Sequence, residues 1–308
     1  MMTARRRRER ATDGFILVAA LWIVSALAAL SAVYAVYVSS TAMAVAVTDD
    51  DLRAQALTRA AVELAAGQLL AVPEERRPRH GAFDFRLGGA AVSVTFRTEA
   101  ARIDLNGASK KLIAGLFRSL GAQVEDADQY AERVIGWRVA PNVGAQDREG
   151  SLYRAAGLAY GPRGAPFAHA GELTLVLGLP PALVERALPF VTVFGRHEDV
   201  NILEAAPEVI AALPGMTPAH LSDVLAQRAT LAPGQSATAV LGSVQNAATS
   251  DTSKAMRVTV LLALDNGRRI ASEVVIMIDG RDEPYQVLSW QNDIGPPARP
   301  DLGSGARR

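Results

Sequence analysis

Residues 15–38, FILVAALWIVSALAALSAVYAVYV, limit what this chain can become more than any other stretch. The run holds 24 residues without a charge, and its only simple hydroxyls are Ser25 and Ser31. As a helix it spans roughly 36 Å, enough to cross the apolar core of a bilayer with some tilt. A secretory signal has an apolar region of roughly 7–15 residues, so this run is too long for one. Residues 5–10 ahead of it read RRRRER. Arginines before a membrane helix predict a cytoplasmic N-terminus and an exported C-terminal body.

Composition excludes several kinds of chemistry. The chain has no Cys, which rules out disulfides, thiol nucleophiles, iron–sulfur clusters and thiolate zinc sites. His80, His169, His197 and His220 are scattered, and no two have the i, i+4 spacing of a helical metal pair. There is no GxxxxGK phosphate loop, no GxSxG and no recognisable Ser–His–Asp set, so a non-enzyme is expected. The formal charge of zero is a sum of two unlike parts. Up to Gly14 five Arg face Glu9 and Asp13, and beyond it 27 basic residues face 30 acidic ones. A mildly acidic body is a poor partner for nucleic acid.

Beyond the apolar run, helical spacing continues through Leu52, Ala56, Leu57, Ala60, Ala61, Leu64 and Ala65, which predicts one helix from 15 to about 71. Asp49, Asp50 and Asp51 cap a helix start or mark the membrane surface. PEERRP at 73–78 ends the helix. Strands follow. Phe83, Phe85 and Leu87 alternate with polar residues, Gly88-Gly89 is a turn, and Val92, Val94 and Phe96 alternate again.

From about 104 to 230 the pattern is of short helices broken by Gly and Pro. One helix has Leu112, Ile113, Leu116, Phe117 and Leu120 on its apolar face, with Asn106 or Ser109 as N-cap. A second covers Tyr130, Val134, Ile135 and Trp137. Segments 170–194 and 200–228 each read as short helix, Gly turn and short helix, the helix–hairpin–helix or SAM-like pattern. Residues 256–266, 268–279 and 283–292 are rich in β-branched and aromatic residues, with a hairpin signal at Asn266-Gly267. A loop is expected over 246–254 and a disordered tail from Gly295.

The predicted fold is α+β: a long N-terminal helix on an antiparallel sheet, with a helical block inserted between strands. The expected divisions are 1–14, a leader; 15–38, the membrane helix; 39–103, the helix continuation and first strands; 104–230, the helical insertion; 231–293, the return strands; and 294–308, the tail.

The join at Gly14-Phe15, where a polar leader meets the apolar run, resembles the class III leader of type IV pilins and type II secretion pseudopilins. The resemblance implies cleavage by prepilin peptidase between Gly14 and Phe15 and N-methylation of Phe15. It also implies a pilin-like fold and an inner-membrane location, single-pass, with the body in the periplasm. Most pilins carry Glu at the fifth mature position, and here that position is Ala19. Its absence is typical of the K minor pseudopilins.

ARIDLN (101–106), PFAHAGELTLVLGL (166–179), LPFVTVFG (188–195) and VNILEAAPEVIAALPGM (200–216) are similar to the general secretion pathway protein K family. Two departures stand out. Leu203-Glu204-Ala205 replaces the usual Asn-Thr-Ala or similar, and Trp137-Arg138-Val139-Ala140-Pro141 lacks the usual acids. The family implies a place at the tip of a periplasmic pseudopilus, initiating and capping its assembly. Its implied partners are the I, J and H minor pseudopilins, the major pseudopilin, the peptidase and the inner-membrane secretion platform, with no nucleic acid. It also implies calcium, for which Asp279, Asp282 and Glu283 are candidate ligands or, equally, surface turn residues.

Two other readings compete. A membrane-anchored competence-type DNA receptor would use a helix–hairpin–helix, but the turn Gly215-Met216-Thr217 lacks a second Gly. Residues 200–228 set Arg228 alone against Glu204, Glu208 and Asp223, the wrong sign for phosphate. A type IV pilus minor pilin would not usually carry a large helical insertion.

Overall fold

The computed structural model describes residues 5–141, 147–231, 248–250, 253–279 and 283–292, with Val240 and Ile294; for 5–14, 42, 44 and 46 only the backbone is described. The tail expected from Gly295 lies outside this set, as do 246–247 and 251–252 of the expected loop.

The chain divides into two compact units, 1–57 and 58–308. Helix α1 (Arg5–Leu70) supplies the first and opens the second. It starts before Phe15 because nothing in RRRRERATDG forces a break: arginine, alanine and glutamate are good helix formers and no proline interrupts them. It also passes through Asp49–Asp51 without interruption, so these residues cap nothing. Phe15–Thr41 is long and apolar enough to cross a membrane, and none of that span is buried.

In the second unit, the last turns of α1 bury Ala61, Val62, Ala65, Ala66 and Leu69, one helical stripe. Glu63, on the exposed side, accepts a hydrogen bond from the Tyr285 hydroxyl at 2.8 Å. A five-stranded antiparallel sheet has the order β1-β2-β7-β8-β9. Its strands are β1 (His80–Leu87), β2 (Ala90–Thr98), β7 (Ala255–Ala263), β8 (Arg269–Met277) and β9 (Gln286–Asn292). Val92, Val94 and Phe96 pair with Leu262, Val260 and Val258, so one face of the central strands is a continuous apolar layer. Gly88 and Gly89 both have positive φ, as a two-residue primed turn demands. The second hairpin is built differently. Gly267 has φ 85° and donates to Leu264 O, while Asn266 keeps negative φ, giving a three-residue turn closed by a left-handed Gly.

Neighbouring strands β2 and β7 are separated in sequence by residues 99–254, which form the inserted block. Its helices are α2 (Lys110–Ser119), α3 (Val124–Arg138), α4 (Arg148–Ala155), α5 (Pro181–Ala187), α6 (Pro207–Ala211) and α7 (Pro218–Thr230). Ser109 caps α2 by accepting from Leu112 N at 3.3 Å. The predicted helix at 170 is a 3₁₀ helix, Ala170–Leu175, and α4 was not anticipated. Two short parallel ladders stitch the block: β3 (Ile103–Asp104) on β4 (Val191–Thr192), and β5 (Val200–Asn201) on β6 (Ala248–Thr249). Leu112, Ile113, Leu116, Phe117, Tyr153, Leu173, Ile202 and Ile210 are fully buried in its core.

Candidate functional site

The surface with the strongest physical demand for a partner is the first part of α1. Phe15, Trp22, Tyr34 and Met43 are each at least 66% exposed, which water does not tolerate along a whole helix. Gly14 lies within α1, Phe15 is 75% exposed, and Ala19 carries only a methyl group.

The second candidate is the seam that fixes the inserted block to the sheet. His80, Arg97 and Arg257 occupy one cross-strand row on β1, β2 and β7. Each grips the block. Arg257 clasps the fully buried Glu99 with Nε at 2.6 Å and Nη2 at 2.9 Å, and its Nη1 donates to Glu273. Burial alone would raise the Glu99 carboxyl. The Arg257 hydrogen bonds and charge, the charge of Arg102 and the Thr192 hydroxyl override this and hold it below the usual range. Thr192 sits on β4, so Glu99 joins sheet and block in one hydrogen-bonded group. Arg97 donates to the Glu204 carbonyl at 3.1 Å, and His80 Nδ1 lies 2.9 Å from Glu204 Oε2. Burial pushes Arg102 beside them down to about 10.

The stretches singled out in the sequence have structural tasks inside the block. Asp104 accepts from Asn106 N at 2.7 Å and from Arg196 N at 2.6 Å, and the second bond supports Arg196 in a left-handed conformation, φ 58°. Asn106 exchanges two hydrogen bonds with the Phe167 backbone. Glu172, nearly buried, accepts from the Trp137 indole, Arg163 and Ala168 N, each at 3.0 Å. Asn201 accepts from Leu203 N at 3.0 Å and donates to Ser250 O at 3.1 Å. In the second hairpin Gly215 has φ 79° between α6 and α7. Arg228, the one cation of that hairpin, donates to Ala205 O at 2.6 Å and so faces its own protein. Arg138, at the departure from the usual acidic stretch, ties α3 to the Leu105 and Ala108 carbonyls.

Of the calcium candidates, Asp282 lies outside the described residues, and Glu283 is exposed. Asp279 fits best, with a buried Oδ1 that has no hydrogen-bond partner among the described residues. Among the described residues no three acidic or histidine side chains converge as a metal site.

Comparison with known proteins agrees with this architecture. Residues 98–196 match the family model for type II secretion system (T2SS), protein K. Over that stretch the chain is similar to type II secretion protein K. A solved structure, the GspK-GspI-GspJ complex from the enterotoxigenic Escherichia coli type 2 secretion system, matches with TM-score 0.59 and 18% identity. The match covers 80% of this chain and 97% of that one, and at this identity it carries the fold: a pilin-like helix and sheet with a helical block. A search of curated proteins gave no match. The matched region begins at Thr98 and ends at Arg196, so it contains Glu99, Asn106, Glu172 and Thr192 of the seam and block.

The hydrogen-bonded seam was invisible in the sequence. Its only signal was the unusual acid at Glu204.

Proposed function

We propose that this chain occupies the tip of a periplasmic pseudopilus, where it initiates and caps assembly together with the I, J and H minor pseudopilins and the major pseudopilin. The observation that carries this reading is the inserted block spliced between β2 and β7 and clamped there by Glu99–Arg257. Such bulk on one subunit obstructs stacking of another above it. Ala19 supports the same end position, since a subunit lacking the fifth-position carboxylate lacks one contact to its neighbour. The five leader arginines support an N-terminus on the cytoplasmic side, beside the secretion platform, and a periplasmic body. Gly14-Phe15 is the processing point in this scheme, and calcium on the second unit would draw on Asp279.

Mass spectrometry of the mature N-terminus tests the scheme. The expected product begins at N-methylated Phe15, and Gly14→Leu leaves the leader uncut. An intact leader in the wild type, or cleavage near an Ala-x-Ala site beyond residue 40, overturns it. Co-purification with the I and J pseudopilins tests the partners. Calcium titration of the full chain in detergent, with Asp279→Asn for comparison, tests the ion.

A further inference from the structure

Between the exposed flank of α1 and the edge strand β9 lies a groove of about 460 Å³, lined by Arg59, Val62, Glu63, Tyr285, Val287 and Trp290. Its walls are held in place. The Tyr285 hydroxyl donates to Glu63 at 2.8 Å and ties the start of the strand to the helix. The Trp290 indole donates to Asn292 Oδ1 at 2.6 Å, so its N–H is satisfied within its own strand and the ring is left for apolar contact. Val287, between the two aromatic residues, is 49% exposed. An aromatic-lined groove of this kind suits a polyproline II segment, which is already extended and has little conformational entropy to lose on docking.

The edge discourages a strand from adding to it. The β8–β9 register shifts at Val275/Ile276, and Pro284 and Pro296 bracket β9. The chain itself carries a better occupant. Beyond Ile294, whose N–H donates to Ala271 O at 3.0 Å, it continues for the 14 residues Gly295–Arg308. They open with GPPARP, a Gly-Pro turn signal followed by Pro297 and Pro300.

We propose that residues 297–307 dock in this groove as a polyproline II strap that runs back along β9 and covers the open edge of the sheet. The lengths agree. From Ile294 back to Tyr285 the strand direction covers roughly 30 Å. A turn at Gly295-Pro296 and about ten further residues, at about 3.1 Å each, return over the same distance. Arg299 and Pro300 then fall level with Trp290, where a guanidinium and a proline ring both find an aromatic face. Arg307 falls level with Tyr285 and its partner Glu63, the one carboxylate among the lining residues. The strap sets Arg299, Arg307 and Arg308 against Asp301, so its charge suits that carboxylate.

Because the chain has no Cys, two introduced ones can be labelled cleanly. Nitroxides are placed at Gln286→Cys, which is exposed and on the opposite face of β9 from Val287, and at Ser304→Cys. Double electron–electron resonance on the full chain in detergent then reads the distance between them. A docked strap gives one narrow distribution below about 25 Å. A free tail gives a broad one centred beyond about 30 Å, since about 26 Å of strand adds to the spread of a ten-residue coil, and that result overturns the proposal. Pro297→Gly with Pro300→Gly leaves the groove untouched and should turn the narrow distribution into the broad one. Trp290→Ala should do the same from the other side. A narrow distribution that survives both variants refutes polyproline docking. Mixing with an excess of unlabelled chain should leave the short distance unchanged. Its loss on dilution would assign the groove to the tail of a second copy and overturn the strap.

Discussion

Arg257 and Glu99, 158 residues apart in sequence, meet in a two-pronged ion pair at 2.6 and 2.9 Å, with the carboxylate wholly out of water. A planar guanidinium facing a carboxylate in this way gives direction as well as attraction, so the pair fixes the orientation of the inserted block at its root.

Removing one member of this pair strands the other. Arg257→Leu is expected to destabilise the second unit by about 3–5 kcal/mol, because Glu99 is left as an uncompensated buried charge. Urea denaturation of the full chain in detergent measures it. A loss under about 1 kcal/mol would show that water reaches Glu99 after all.

The same pair sets an acid limit. The Glu99 carboxyl is held below its ordinary range, so its contribution to stability is complete above the unfolded carboxylate range, near pH 4.3, and is lost as pH falls through the folded value. Glu149 acts with the opposite sign, since burial raises its carboxyl despite Arg133. Comparing wild type with Glu99→Gln therefore isolates the effect. The wild type should lose stability more steeply below pH 4.3, and parallel curves would disprove the assignment.

Two glycines should respond in opposite directions to the same substitution. A Cβ at Gly115 on α2 would lie 1.9 Å from the Ala212 carbonyl oxygen next to α6, and backbone cannot move aside cheaply. Gly115→Ala is expected to lower stability by about 1–3 kcal/mol despite its gain in helix propensity. Gly67 on α1 has open space, so Gly67→Ala should raise stability by about 0.5–1 kcal/mol. Melting curves of the two variants decide the matter, and a stabilised Gly115→Ala would refute the close approach of α2 to α6.

Glu172 satisfies three donors from three places in the block. Glu172→Ala leaves the Trp137 indole and the Ala168 amide without their acceptor, at an expected cost of about 2–4 kcal/mol. Trp137 fluorescence should shift as its surroundings loosen. An unchanged emission spectrum together with unchanged stability would contradict the hub role.

Much of this could be read from local pattern. The alternation around Val94, the Gly88-Gly89 turn, the apolar face of α2 and the unbroken run from Phe15 are short-range signals, and each became the element expected. What escaped was local but weak, or distant. α4 escaped because REGSLYRA has little apolar periodicity and is fixed instead by the Asp147 cap and the buried Tyr153. The 3₁₀ form of Ala170–Leu175 escaped because Glu172 must turn back to reach Ala168 N, a constraint set by Trp137 and Arg163. The seam escaped because no spacing rule links Glu99 to Arg257 or His80 to Glu204. The acids of the 200–228 hairpin did announce its electrostatic character, and Arg228 turned inward is consistent with them.

The splice of residues 99–254 between β2 and β7 has a kinetic consequence. The β1–β2 hairpin and the β7–β8–β9 meander can each form from neighbours in sequence, but joining them closes a loop of the whole inserted block. An unstructured loop of that length makes the closure slow, whereas a folded block brings its two ends together in advance. The central strand pairing then waits on the block, and Arg257 reaches Glu99 late in folding. Until that moment two sheet edges stand open, which makes the block's own folding rate the interval during which this chain is most exposed to aggregation.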